Sequence, residues 1–220
     1  MKGLWIKDLK LMMVQKKSLF VILLVAVGIL LFSEDVTFPI GYISFLISIS
    51  AVSTISYDEF DNGNTFLFTL PVSRKDYTLE KYLFSIIVGI LAVICAVLLI
   101  TIVTMQRGTF GIRLEDILIT AAINIPILFL FEAIILPFKL KYEAEKGRIA
   151  MIAAIGAIVV ILIFLQKTIF ELLGMDILNQ MINQLAFNET KTWITIYATA
   201  IILWFISLKI SEKIMMNKEF

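Results

Sequence analysis

Few side chains in this sequence could carry acid–base or covalent chemistry, and none stands in a pattern that would. It has no histidine, which removes imidazole bases, Ser-His-Asp triads and histidine metal sites together. The single cysteine, Cys95, is expected to be buried in the third apolar segment and excludes a disulfide framework within one chain. No GxxxxGK(S/T) phosphate loop occurs, so nucleotide is not bound here in the familiar way. One carboxylate, Glu132, lies inside an apolar segment, between Phe131 and Ala133 and before Pro137. A charge at that depth is costly unless it is paired, protonated or facing water. Glu132 is read either as the structural partner of a nearby inner-leaflet cation or as a group acting in substrate passage or coupling. Asn124 and Pro126, higher in the same segment, suggest a kink that opens a cavity. An intramembrane enzyme would need a carboxylate pair or a Ser-Lys dyad at matching depth; the sequence offers neither, and the chain is not read as an enzyme.

The elements that hold these residues are apolar helices. The chain is 60% hydrophobic and 17% charged, with a mean hydropathy of +0.97, and its apolar residues come in long blocks rather than alternating stripes. Six blocks approach spanning length: Ser18–Phe32, Pro39–Ser56, Leu83–Met105, Ile117–Leu136, Ile149–Leu165 and Thr192–Leu208. A hydrocarbon core takes about 20 residues of helix, so an all-α integral membrane protein with six transmembrane helices is expected. Lys16 and Lys17 extend the reach of the short first block by snorkelling. With the N-terminus in the cytoplasm, only Arg107, Arg113, Lys167 and Lys191 of the nineteen Lys and Arg residues fall outside. Both termini are therefore expected in the cytoplasm. The first seventeen residues are too charged for a cleavable signal peptide.

Residues 2–17 read as an amphipathic helix in the inner headgroup region, with Trp5, Ile6, Leu9, Met12 and Met13 on one face and Lys7, Asp8 and Lys10 on the other. It either anchors the topology or also touches a cytoplasmic partner. The second span carries Gly41, Ser44, Ser48 and Ala51 at helical spacing, a small and mildly polar side that serves helix packing or lines a translocation path. The fifth span repeats small residues at Ala150, Ala153, Ala154, Gly156 and Ala157, a packing seam that could join two subunits. Residues 166–191 read as an external segment with short helices over 167–173 and 176–185, and Asn188-Glu189-Thr190 matches a glycosylation sequon.

The stretch from Tyr57 to Tyr82 differs from everything around it, being charged, aromatic and rich in turn residues. Asp58, Glu59 and Asp61 lead into Asn62-Gly63-Asn64; Thr65–Leu70 is a short aromatic helix ended by Pro71; Ser73 with Asp76 forms a capping box that opens the helix running into the third span. Phe60, Phe66 and Phe68 lie in this loop with nothing obvious in the chain to bury them all. They either dip into headgroups or anchor a groove on a partner, with Asp58, Glu59 and Asp61 setting register against basic groups.

The order of a short transverse helix, then Leu70-Pro71-Val72-Ser73-Arg74, then a span beginning near Lys81-Tyr82 resembles the first cytoplasmic loop of type-2 ATP-binding-cassette (ABC) exporter permeases. Leu136-Pro137-Phe138-Lys139-Leu140-Lys141-Tyr142 through Glu145-Lys146-Gly147-Arg148 resembles the loop before the fifth span of the same family. Within it, the chain looks most like permeases of small-peptide exporters, including those for phenol-soluble modulins. The resemblance implies one permease domain over residues 1–220: an interfacial helix at 1–17, six spans, a coupling loop at 57–82 and the external segment. It makes Asp58, Glu59, Phe60, Asp61, Thr65, Phe66, Phe68 and Leu70 the contacts to an ATPase. It also implies a second permease chain, identical or homologous, two cytoplasmic ATPase subunits that carry ATP and Mg, no cofactor in this chain, no nucleic acid, and a place in the bacterial cell membrane. Amphipathic peptides or other amphiphiles would enter from the inner leaflet, where the second and fifth spans border the gap. A non-transporting immunity or sensor protein of the same fold is the other reading.

Overall fold

The computed structural model describes residues 2–32, 37–60, 63–107, 114–142 and 189–218, and among these every element is helical. The helices are α1 (Lys2–Val14), α2 (Lys16–Phe32), α3 (Thr37–Val52), α4 (Thr54–Glu59), α5 (Gly63–Leu67), α6 (Arg74–Arg107), α7 (Leu114–Lys141) and α8 (Glu189–Met216). Four helical stretches are long and apolar enough to cross a membrane: Phe38–Glu59, Arg74–Gln106, Leu114–Lys141 and Thr190–Met216; α1 and α2, bent by 63°, make a fifth as a pair. The six spans expected from the sequence are thus matched by four or five among the described residues. The fifth predicted span and the two external helices lie outside them, as do Ala150, Ala153, Ala154 and Ala157.

Local chemistry explains where these helices start and stop. The Ser73 hydroxyl accepts the Asp76 amide at 3.0 Å and donates to the Asp76 carboxylate at 2.7 Å, so Ser73 caps α6 as expected, with Asp76 returning to the hydroxyl rather than to the Ser73 amide. Between α3 and α4 the hydroxyls of Ser50, Ser53 and Thr54 donate to the carbonyls of Leu46, Ser50 and Ala51. Such back-bonding competes with the helical ladder and breaks the second span at Ser53. The span therefore runs three residues past Ser56, where the sequence reading ended it, and the polar loop is shorter by that much. Residues of α5 end at Leu67, and Pro71 prevents the helix from resuming.

Matched contacts give the directions. Ala26 packs near Ile43 and Leu30 near Ile40, so α2 and α3 are antiparallel; Ile43 meets Ala96 and Ala51 meets Phe84, so α3 and α6 are antiparallel as well. The pairs Tyr197–Ala122, Trp204–Phe129, Ser207–Ala133 and Lys218–Leu140 advance together along the sequence, which makes α7 and α8 parallel. Hence α3, α7 and α8 finish at one end, where α1 and the loop also lie.

The bundle is dressed for hydrocarbon. Phe20, Val21 and Leu24 of α2, Leu91, Ile94, Leu98 and Ile102 of α6, and Ile202, Phe205 and Ile206 of α8 are exposed, whereas Ser44, Ser48, Ser85, Glu132, Ser207 and Ser211 are buried. Apolar outside and polar inside is the inversion that a lipid solvent permits. Cys95, expected to be buried, is exposed on the outer side of α6 instead. Two further expectations fail on packing. Asp8 turns inward with Leu4, while Ile6, Leu9 and Met13 face out, because Asp8 is held by Lys81. Asn124 and Pro126 are both buried, and the Asn124 amide donates to Thr120 of its own helix, so their side chains fill space rather than open a cavity.

Candidate functional site: the loop root and the buried carboxylate beneath it

The loop is rooted in ion pairs drawn from three helices. Lys81 of α6 contacts Asp8 of α1 at 2.5 Å and Asp58 of α4 at 2.7 Å, and donates to the Thr54 hydroxyl at 3.0 Å. Lys7 reaches Asp58 at 2.6 Å and Asp8 at 3.2 Å, and the Tyr77 hydroxyl donates to Asp58 at 3.0 Å. Asp8 and Tyr77 are 0% and Lys81 2% exposed. Interior charges persist only when partnered this closely, and the cluster fixes α1, α4 and α6 in one arrangement. Glu80 is buried beside it, and neither of its oxygens meets a donor among the described residues.

The last helix is tied in from the other side. Glu59 pairs with Lys218 at 2.9 Å, and Lys218 also donates to the Leu140 carbonyl. The Arg74 guanidinium donates to the carbonyls of Met215, Met216 and Lys218 at 3.2, 2.9 and 2.7 Å, acceptors that a helix C-terminus leaves without helical donors. Lys139 of α7 donates to Ser56 at 3.0 Å. Both sides of the loop are thereby anchored to the middle of α1 and to the ends of α7 and α8.

Between the anchors, the loop folds tightly. A Cβ on Gly63 would stand 2.7 Å from the Asp58 carbonyl oxygen, so α5 turns back on α4 only because position 63 has no side chain. Phe68 packs edge-on against Tyr77, centroids 5.7 Å apart, and under Arg74. Phe60 and Phe66 are 74% and 70% exposed, and Leu70 and Thr65 are exposed beside them. The structure thus divides the predicted contact set. Asp58 is turned inward among Lys7, Lys81 and Tyr77 and cannot set register against a partner; Glu59 is engaged by Lys218; Phe68 is half-buried. Phe60, Thr65, Phe66 and Leu70 remain on the surface, and Asp61 lies outside the described residues.

Deeper in the bundle, Ser48 of α3 donates to Glu132 of α7 at 3.2 Å, with both side chains fully buried. Gly89 of α6 lies against the pair: a Cβ there would be 3.7 Å from a Glu132 oxygen and 3.8 Å from Ser48. The second Glu132 oxygen and the Trp204 indole nitrogen have no hydrogen-bond partner among the described residues. Among the described residues the partner of Glu132 is Ser48 and not the inner-leaflet cation considered from sequence. Ser44 spends its hydroxyl on the Gly41 carbonyl in its own helix, at 3.0 Å. Nearer the loop, the Tyr82 hydroxyl meets Ser207 and Ser211 of α8 at 2.7 Å each. An apolar groove of about 520 Å³ lies between α7 and α8, lined by Leu130, Ile134, Pro137, Phe138, Leu203 and Ile206 among others.

The pairing of Lys81, Lys7, Tyr77, Arg74 and Lys218 at the loop root is what sequence reasoning passed over. Asp8 is the sole acid before Glu34 and Lys81 the last cation before a long apolar run, a pairing signal that distance along the chain conceals.

No curated protein and no solved structure matches the chain. The family model of the ABC-2 family transporter protein matches residues 3–216, which takes in the loop, its ion-paired root and the buried carboxylate. That membership makes the chain a multi-pass membrane component of an ABC transporter, of the kind that partners with an ABC ATPase subunit. With nearly its whole length matched, this chain belongs to the ABC-2 transporter family.

Proposed function

We propose that the chain is the permease subunit of an ATP-driven exporter of amphipathic peptides or similar amphiphiles, in which residues 57–82 receive the movement of the ATPase. The observation that carries this reading is the contrast within the loop. Phe60 and Phe66 are exposed at its tip, while its roots are fastened by Asp58, Glu59 and Arg74 to α1, α6 and α8. Large aromatics exposed on a well-anchored segment are the type of residue that dominates protein interfaces. A push on the tip is delivered through short ion pairs to several helix ends at once, without passing through flexible chain. Glu132, Ser48 and Gly89 lie where α3, α6 and α7 meet, a point about which those helices can tilt.

Two such chains, identical or homologous, pair with two ATPase subunits in this reading, partly through Ala150, Ala154 and Ala157. Both termini lie in the cytoplasm of a bacterial cell, and six spans form the permease. The parallel course of α7 and α8 fits an even count of spans. The apolar groove between α7 and α8 offers lining suited to an aliphatic side chain.

Copurification tests the proposal. The chain co-expressed with an ABC ATPase subunit encoded beside it should hold that subunit through solubilisation and raise its hydrolysis when amphipathic peptides are added. A stable permease that neither retains the ATPase nor alters its turnover would favour the immunity or sensor reading.

A further inference from the structure

α1 carries a single acidic residue, Asp8, and that residue is buried against Lys81. What α1 turns outward therefore holds no acid. Ile6, Leu9 and Met13 are exposed at i, i+3 and i+7, Lys2 and Lys10 are exposed beside them, and Lys16 and Lys17 are exposed at the bend into α2. The bend is 63°, and α2 leaves it with Phe20, Val21 and Leu24 facing out. Exposed apolar residues thus run on from α1 through the bend into α2, with Lys16 and Lys17 at the start of the apolar helix. Apolar side chains flanked by cations in this way suit a membrane surface of negative charge. An acidic protein groove would match the lysines, but not the continuity with α2.

We propose that the outer face of α1 binds anionic phospholipid headgroups of the leaflet on the loop side, and that Asp8 relays the seating of α1 to the root of the loop. The route is short: Asp8 holds Lys81, Lys81 holds Asp58, and Asp58 ends the helix that leads into the loop. The relay rests on reading residues 57–82 as the coupling segment; the lipid contact does not.

The test uses the full chain without ATPase, carrying Cys95→Ser and Met13→Cys, in nanodiscs of phosphatidylcholine alone or with about one third phosphatidylglycerol. Labelling of position 13 by a polar maleimide should be about threefold or more slower in the anionic discs, and the difference should shrink near ~1 M salt, where charges are screened within about 3 Å. Changing Lys2, Lys10, Lys16 and Lys17 together to Gln should abolish it. Equal rates in the two lipids, or a difference that survives the Gln set, overturn the lipid contact. Protection that appears only on adding the ATPase overturns it in favour of a protein partner. For the relay, a fluorophore on Phe66→Cys should shift its emission between the two lipids, lose that shift in Asp8→Asn and regain it in Asp8→Glu. A shift that persists in Asp8→Asn, or none in the parent chain, overturns the relay. Retention of the ATPase is read separately and bears only on the coupling assignment.

Discussion

The hydroxyl of Tyr197 donates to the carbonyl of Ala122 at 2.8 Å, the very carbonyl that Pro126, four residues on, leaves without its helical donor. Ser207 does the same for Ala133, at 2.5 Å, whose donor is missing because of Pro137. α8 thus supplies hydroxyls at both proline gaps of α7, and α7 continues through them as one helix. Tyr197→Phe and Ser207→Ala should each lower stability in detergent by about 1 kcal/mol, the usual scale for interhelical hydrogen bonds in membranes. Thr199→Val is the control, since that hydroxyl bonds only within α8 and its loss should be near neutral. Equal small effects at all three positions would deny the proline gaps any role in the seam.

Lys81 is the position where substitution should cost most. Lys81→Met leaves Asp8 and Asp58 facing Lys7 alone, and an uncompensated buried charge of this kind costs about 3–5 kcal/mol. Adding Asp8→Leu should recover part of the loss, because Asp58 and Lys7 then remain as a closed pair. Unfolding midpoints of the two single variants and the double variant give the coupling directly.

Phe66 and Phe68 should separate binding from folding. Phe66→Ala removes an exposed ring and should change stability by no more than about 0.5 kcal/mol, while weakening ATPase association by about 1–2 kcal/mol if the ring anchors that contact. Phe68→Ala removes a ring packed on Tyr77 and should destabilise the permease by roughly 1–3 kcal/mol, less than a fully buried Phe. Pull-down and thermal unfolding on the same preparations distinguish the two.

Two glycines make a matched pair. An alanine at Gly63 must drive its Cβ into backbone 2.7 Å away, and forcing α5 off α4 should cost about 1–3 kcal/mol. Gly89→Ala meets nothing closer than 3.5 Å and gains about 0.5–1 kcal/mol of helix propensity, so it should be neutral or stabilising. Gly89→Leu should not be tolerated, for the larger side chain has to displace Glu132 and Ser48.

The sequence made the helices legible because apolar block length is a local property, and the Ser73 cap was readable for the same reason. The break at Ser53 is less visible, because only the direction of the Ser50, Ser53 and Thr54 hydroxyls, back toward carbonyls of their own helix, marks the interruption. The hardest feature to read was the loop root. Asp58 in a polar loop looks solvated, and Asp8 on a basic helix looks like surface charge, yet the two converge on Lys81 across 23 and 73 residues of chain. Periodicity carries no information about such convergence. Phe60 and Phe66 were recognised as lacking a place to hide, and they are exposed; Phe68 finds shelter under Arg74, which an isolated stretch of sequence does not reveal.

Arg74 has a consequence for the order of biosynthesis. Its three carbonyl acceptors belong to residues 215–218, 141 to 144 positions further along, so they leave the ribosome after every other described element has been made. Contacts of such long sequence separation close late. Until then the exit side of the loop lacks the anchor that Arg74 finds on α8, and a nascent chain or one truncated before Met215 holds the loop less firmly. Closure of α8 onto Arg74 is therefore the step that completes the packing of the exit side of the loop.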